Sequence, residues 1–96
     1  MANIKDIKLK RFKIVEVKDF FEMDISYIFL VLEHIQYGYK FVIDFSASNY
    51  QNLHIVNSKA LLERKKKENL NEEIFNMMIV ELKMDYETIK QIVYES

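Results

Sequence analysis

The amino-acid sequence predicts an α+β fold: a three- to four-stranded antiparallel sheet from the N-terminal half, packed on one face by two or three C-terminal helices. Three observations predict it. Segments rich in β-branched and aromatic residues fill most of residues 10–56, and the only glycine, Gly38, lies between two of them. Residues 59–96 instead space their apolar side chains at helical intervals. The chain has 96 residues, half of them hydrophobic, which predicts a single domain over residues 1–96.

The first strand is predicted over residues 10–18, where β-forming residues alternate with charged ones. The apolar residues before it, Ile7 and Leu9, are out of phase with Phe12. This change of phase predicts either a bulge or the start of the strand near Phe12. Residues 19–24 are interpreted as the connection to the next strand.

The strongest local pattern predicts a β-hairpin. Residues 25–35 are almost continuously apolar, residues 40–46 alternate, and Gly38 between them can adopt the positive φ of a tight turn. We expect a two-residue turn at Tyr37 and Gly38, so that the residues on either side of it pair. This register gives one strongly apolar face, which we assign to the core: Leu30, Leu32, His34, Phe41, Ile43 and Phe45.

The opposite face of this hairpin has more apolar area than a solvated sheet face needs, because Phe29, Val31 and Ile35 lie on it. Either another part of the fold covers this face, or a partner binds there. Tyrosines are frequent anchors of interfaces, and two of them flank Gly38 at the hairpin tip. The candidate protein-interface residues are therefore Phe29, Val31, Ile35, Tyr37 and Tyr39.

A fourth, short strand is predicted within residues 53–56, and the helices follow it. The first helix is predicted over residues 59–68. The second begins at Asn71, where acidic residues fill the first turn, and its wide apolar arc makes it the central core helix. Asp85 is predicted to cap a third helix, which continues towards the C-terminus.

The last two predicted helices resemble a helix-turn-helix unit. Residues 78–93 carry the apolar positions of that family around a capped turn: Ile79, Leu82, Met84, Asp85, Thr88, Ile89, Ile92 and Val93. The resemblance implies that the second helix enters the major groove of DNA and places four side chains near the bases: Tyr86, Glu87, Lys90 and Gln91. Two packed helices joined by a capped turn would give the same pattern.

The charges are segregated along the chain, although they sum to only −1. Residues 1–18 and 57–68 are basic, and residues 19–56 and 69–96 are acidic. This segregation favours the steering of a protein partner over bulk coating of nucleic acid. A nucleic-acid-binding regulator is the alternative function, and the side chains that would contact phosphates are Lys10, Arg11, Lys13, Arg64, Lys65, Lys66 and Lys67.

Residues suited to catalysis or metal binding are scarce. The chain has no cysteine, one glycine and two histidines, which excludes a thiol nucleophile, a cysteine-based zinc site and a glycine-rich phosphate loop. His34 is assigned to the core beside Phe41 rather than to a catalytic role. The sequence therefore predicts a protein that is not an enzyme and that uses no metal or cofactor.

The predicted function is a small, non-enzymatic, protein-binding regulator or inhibitor. Twelve of the 14 basic residues are lysines and proline is absent, which is typical of AT-rich bacterial genomes and their phages. We therefore expect a phage or mobile-element protein directed at a host protein machine. The sequence has no signal peptide and no membrane span, which predicts a cytoplasmic location. A two-fold homodimer through an edge strand is left open.

Overall fold

The computed structural model describes three ranges of the chain, residues 4–46, 52–56 and 71–94. Its four strands are β1 (Phe12–Glu22), β2 (Ile25–His34), β3 (Lys40–Asp44) and β4 (Ile55–Val56). They form one antiparallel sheet in the order β1-β2-β3-β4. A 3-10 turn at Ile4–Asp6 precedes the sheet, and helix α1 (Glu72–Tyr94) packs against one of its faces. The predicted α+β class, the antiparallel sheet and the short fourth strand are confirmed.

The strand β1 is longer than the sequence predicts. It begins at Phe12, where the change of phase predicts a start, but it continues to Glu22. Residues 19–22 are therefore strand rather than connection, which agrees with the strong β-propensity of two consecutive phenylalanines there. Only Met23 and Asp24 connect β1 to β2.

A β-bulge lies inside β1. The register with β2 shifts between Ile14 and Glu16, which leaves Val15 as the extra residue on β1. The bulge reverses the side-chain phase of the strand. As a result Phe12 and Ile14 face the core before the bulge, and Val17 packs against the same core after it. Simple alternation from Phe12 would place Val17 on the opposite face.

The strands β2 and β3 have the predicted faces but not the predicted register. Leu32 lies opposite Phe41, whereas a two-residue turn would place it opposite Ile43. The difference is two residues, and because side chains alternate with a period of two, the same residues still face the core.

The connection between β2 and β3 explains the shifted register. It comprises residues 35–39, so it is longer than the predicted turn. The N–H of His34 donates to the carbonyl of Tyr39 at 2.7 Å, and the N–H of Gly38 donates to the carbonyl of His34 at 2.8 Å. Gly38 has φ 72°, the positive value that the sequence predicts for it.

Helix α1 begins as predicted but does not stop where predicted. The Asn71 side-chain oxygen accepts the N–H of Glu73 at 2.7 Å, as an N-cap does. From there the helix runs without interruption from Glu72 to Tyr94. Asp85 lies inside it and is not a cap, so residues 71–94 form one helix instead of two. The predicted helix over residues 59–68 lies outside the described residues.

An uninterrupted helix excludes the helix-turn-helix geometry for residues 78–93. No glycine or proline occurs between Glu72 and Tyr94, so nothing in the sequence forces a turn. The apolar residues follow one continuous helical stripe instead: Phe75, Met78, Leu82, Tyr86 and Ile89. The resemblance to the family reflects this stripe, and the prediction of a turn before Asp85 is wrong.

The core lies between α1 and the inner face of the sheet. On the helix, Phe75 contacts Phe41 with ring centroids 6.3 Å apart, and Tyr86 meets Phe45 edge to face at 5.7 Å. Each large apolar side chain buried in this layer stabilises the fold by about 1.5–3 kcal/mol. The sheet contributes the other fully covered residues: Phe12, Leu30, Leu32 and Ile43.

Candidate functional site

The two longest strands extend beyond the rest of the sheet. β3 pairs with β2 only as far as Phe29, and Ile28 makes the last backbone bond on that side, accepting the N–H of Phe45 at 2.7 Å. β1 and β2 continue past this point as a two-stranded hairpin, residues 19–27, which we call the arm. In the described part of the chain no third strand lies beside the arm.

The arm ends in a two-residue turn with an unusual sequence. Met23 and Asp24 have φ values of 51° and 63°. Two consecutive positive φ values define the type I′ turn, which normally selects asparagine and glycine because other side chains are strained there. Met23 is neither, and its side chain is 88 % exposed. A strained and exposed methionine contributes little to folding, so its presence requires another explanation.

One face of the arm carries an aromatic cluster. Phe20 and Tyr27 are cross-strand partners, and their rings stack at a centroid distance of 5.0 Å. Phe29, at the base of the arm, stands edge-on to Phe20 at 5.3 Å. Such ring pairs contribute about 0.5–1.5 kcal/mol each beyond their buried area, which gives the arm a defined surface. This cluster lies on the face of the sheet that α1 does not cover.

The remaining apolar side chains of the arm are open to solvent. Phe21 is 70 % exposed and points to the opposite face from Phe20, and Ile25 is 47 % exposed beside the turn. Single exposed apolar residues are ordinary on a protein surface. Several of them together on one short hairpin are less ordinary, and concentrations of exposed apolar residues mark candidate binding sites.

The arm is also acidic. Residues 19–27 include Asp19, Glu22 and Asp24 and no basic residue. These carboxylates surround the apolar residues at the tip. A complementary surface would therefore be apolar at its centre and basic at its rim.

The predicted interface residues do not form one surface. Phe29 is half-buried and joins the aromatic cluster of the arm. Ile35 and Tyr37 are exposed, but they lie in the β2–β3 connection, at the other end of β2. Val31 and Tyr39 are buried, with 8 % and 6 % exposure, so they present no contact surface.

The sequence interpretation does not predict most of the arm, because it assigns residues 19–24 to a connection and does not include Ile25 and Tyr27 among the candidate interface residues. Two signals point to the arm in retrospect. Phe20 and Phe21 are adjacent, so alternation places one ring on each face of a strand. The second signal is Asp24, a residue that tolerates the positive φ of a tight turn, although no glycine, asparagine or proline accompanies it before Gly38.

A second group of functional-type side chains lies at the opposite end of β1, where α1 meets the sheet. We call Arg11, His34, Glu81 and Asp85 the clamp. The Asp85 carboxylate is 2 % exposed and accepts the backbone N–H groups of Arg11 at 3.1 Å and Phe12 at 2.9 Å. The Arg11 guanidinium lies 3.3 Å from Asp85 and 3.6 Å from Glu81. These contacts fasten the helix to the first residues of β1.

His34 completes the clamp in a defined tautomer. Its Nδ1 accepts the backbone N–H of Tyr37 at 3.2 Å, so the ring proton is on Nε2. Nε2 then donates to Glu81 at 3.1 Å. Both ring nitrogens and both carboxylates are thus engaged in holding α1, β1 and the β2–β3 connection together. The arrangement suits a structural role, because each polar group already has a partner within the fold.

Two of the three nucleic-acid candidates within the described residues are paired with acidic side chains. Arg11 is neutralised in the clamp, and Lys13 pairs with Glu33 at 3.5 Å. Lys10 lines a small depression of about 160 Å³ beside the clamp, whereas Lys13 lines a different cleft of about 410 Å³. The other candidates, Arg64 to Lys67, lie outside the described residues. Acidic neighbours therefore offset the charges of Arg11 and Lys13 that a phosphate backbone would otherwise meet.

Among residues 4–46, 52–56 and 71–94, no three histidine, aspartate or glutamate side chains are grouped as metal ligands. No helix in these ranges has the length and apolar character that crossing a membrane requires. No family model, curated protein or solved structure matches this chain. The features that bear on function are thus the clamp, which is satisfied internally, and the arm, which is not.

Proposed function

We propose that this chain is a non-enzymatic protein-binding module that contacts its partner through the arm. The observation that supports the proposal is the exposure of Phe21, Met23 and Ile25 on a hairpin that extends beyond the sheet. These side chains do not stabilise the fold while they are exposed to water. Covering them in a complex would remove apolar area from solvent, which favours association.

The chemistry of the arm specifies the partner surface. An aromatic and methionine-containing tip fits an apolar pocket, and methionine adapts to pockets of irregular shape. Asp19, Glu22 and Asp24 would lie at the rim of such a contact, where basic residues of the partner would steer association. The proposed partner is therefore a protein with an apolar cavity bordered by lysine or arginine.

The strain at the turn supports the same proposal. A turn of asparagine and glycine would serve the hairpin better than Met23 and Asp24 do. Residues in an unfavourable backbone conformation at an exposed tip are characteristic of functional sites. Selection for binding offsets their cost in folding stability.

The biological role that we propose is that of a regulator or inhibitor. The chain is small and lysine-rich, and it would act in the cytoplasm of an AT-rich bacterium as a phage or mobile-element product directed at a host protein machine. No catalytic step belongs to this proposal, since Glu81 and Asp85 are occupied in holding α1 to β1.

Site-specific photocrosslinking tests the proposal. A photoreactive phenylalanine analogue is placed at Phe21 or Met23, and at Met84 on the exposed side of α1 as the control. Each version is irradiated in lysate of an AT-rich bacterium, once untreated and once treated with nuclease. We expect the same covalent adduct from positions 21 and 23 and none from position 84.

The captured protein must then bind in purified form. We expect its affinity for the double variant Phe21→Ser, Met23→Ser to fall at least about tenfold, which corresponds to loss of two exposed apolar contacts. Equal affinity for the variant and the parent chain would refute a role for the arm. Capture that disappears when the lysate is treated with nuclease would instead support the nucleic-acid alternative.

A further inference from the structure

The outer edge of β1 carries unpaired backbone groups along the arm. β1 is the terminal strand of the sheet, and no described strand lies beyond it. Glu22 and Ile25 flank the two-residue turn, so they form its closing hydrogen-bonded pair. In an antiparallel ladder such pairs alternate with pairs that do not bond. Asp19 and Phe21 therefore direct their N–H and C=O groups outwards, as a template for another strand.

The charges along this edge are complementary to themselves. If a second copy pairs antiparallel with β1 so that Phe20 lies opposite its own equivalent, Lys18 lies opposite Glu22 of the second copy. The two-fold symmetry repeats this opposite-charge pair on the other side of the axis. Opposite charges that face each other across two strands stabilise the pairing.

The two registers whose axes lie nearer the start of β1 are disfavoured by charge. An axis at Asp19 would place this carboxylate against itself and Glu16 against Glu22, and an axis at Lys18 would place two lysines together. Like charges directly opposite each other destabilise a strand pair. Among these three registers, only the one centred on Phe20 pairs opposite charges, Lys18 with Glu22, and places no like charges opposite each other between the two β1 strands.

We propose that two copies of this chain associate edge to edge through β1, in antiparallel register about a two-fold axis at Phe20. The axis passes through a non-hydrogen-bonded pair, so Asp19 and Phe21 bond to each other's equivalents across the interface. The two aromatic clusters meet at the Phe20 rings, which are 40 % exposed in the single chain. The result is one continuous sheet of eight strands.

This assembly goes beyond the proposed function and does not require it. Met23 lies in the turn, beyond the last residue of β1, and this register places it beside Val17 of the second copy, so the pairing uses backbone groups of β1 and not the Met23 side chain. Two arms would then be presented by one particle, which raises the apparent affinity for a partner with two sites. The interface is small, so we expect a dimer that dissociates at micromolar concentrations.

Charge reversal with rescue tests the register. Lys18→Glu and Glu22→Lys each create two like-charge pairs, and we expect either change to weaken dimerisation about tenfold in sedimentation equilibrium at low salt. In the double variant, the acidic side chain at position 18 lies opposite the basic side chain at position 22 of the second copy. Opposite charges face each other again, so this variant should dimerise like the parent chain. Lys83→Glu, on the exposed side of α1, makes the same charge change as Lys18→Glu and should have no effect.

A single thiol tests the position of the axis. The chain has no cysteine, so Phe20→Cys introduces the only one. Non-hydrogen-bonded partners have Cα atoms about 4.5 Å apart, within the range that a disulfide spans. We expect mild oxidation to link Phe20→Cys into a covalent dimer while Met84→Cys stays monomeric.

Three results would overturn the dimer: a monomeric mass up to millimolar concentration, failure of the double charge reversal to restore association, or equal crosslinking at positions 20 and 84. These outcomes are separate from the fate of the proposed function. A monomer that still captures its partner through Met23 refutes only the dimer, and a dimer that captures nothing refutes only the binding module.

Discussion

The two ends of the β1–β2 pair are built from similar residues but have opposite environments. At one end, Phe12 and His34 are covered by α1 and locked by the clamp. At the other end, Phe20 and Tyr27 are paired in the same way but only partly covered. An aromatic cross-strand pair can thus serve either a core or a surface, and the helix decides which. Because α1 leaves the arm uncovered, the apolar residues of the arm are free to serve binding.

The first prediction tests whether the clamp holds α1 to the covered end of the sheet, by removing the Asp85 carboxylate. Asp85→Ala leaves the N–H groups of Arg11 and Phe12 without an acceptor and removes the closest partner of the Arg11 guanidinium. We expect a loss of about 3 kcal/mol in the free energy of unfolding, since buried donors and charges are costly when unpaired. Urea denaturation followed by circular dichroism measures it.

Glu87→Ala is the matched control for this variant. Glu87 is an exposed carboxylate on the same helix that pairs with Lys90 at 3.0 Å, so its loss should change stability by less than about 0.5 kcal/mol. Equal losses for the two variants would show that the clamp does not hold the helix to the sheet.

The second prediction uses alkaline pH to ionise Tyr86, which lies in the core layer between α1 and the sheet. Burial, aided by the charges of Glu87, Tyr94 and Asp44, raises the pKa of Tyr86 from 10.0 to about 12. Between these values the unfolded chain has released the phenolic proton and the folded chain has kept it, so rising pH favours unfolding. The two-unit shift corresponds to about 2–3 kcal/mol, present below pH 10 and lost by about pH 12.

Urea titrations at pH 8 to 11 measure this loss, with Tyr86→Phe as the comparison. The variant keeps the ring against Phe45 and removes the ionisable hydroxyl. We expect its stability to fall less steeply between about pH 10 and pH 11 than that of the parent chain. Parallel slopes for the two proteins would mean that Tyr86 is not the group responsible.

The contrast between the two ends also explains what could be predicted from the sequence. Side-chain alternation and the position of Gly38 were enough to assign the faces of β2 and β3, because burial of one face fixes the alternation. The register was not predictable, since it depends on bonds between His34 and the connection that follows it. The prediction that Asp85 is a cap is wrong because a buried helix carboxylate that accepts backbone N–H groups at the start of a strand has no local signature in the sequence.

The sequence does not predict the arm for a different physical reason. Hydrophobic patterning identifies apolar residues but not whether a helix will cover them. Phe29 was found because its face of the hairpin carried too much apolar area, whereas Phe20 and Phe21 lay in a segment that was assigned to a connection. The strained turn at Met23 could be seen only from its backbone dihedrals.

A third prediction is that a better turn sequence at the tip of the arm stabilises the protein. Met23→Asn combined with Asp24→Gly supplies the residues that a type I′ turn prefers at φ 51° and 63°. We expect the free energy of unfolding to rise by about 0.5–1 kcal/mol, as relief of left-handed strain usually does. The same variant should bind the partner less tightly. An unchanged or lower stability would show that the turn is not strained by its sequence.

A fourth prediction concerns Phe21, whose replacement should change the free energy of unfolding least. Phe21→Ser replaces a side chain that is 70 % exposed, so the folded state loses little contact and stability should change by less than about 0.5 kcal/mol. The matched variant at the covered end, Phe12→Ser, removes a ring that is 0 % exposed and should cost about 3–5 kcal/mol. Urea denaturation of both proteins measures the difference. A cost at Phe21 approaching that at Phe12 would make the arm part of the core, and its apolar residues would then need no partner to explain them.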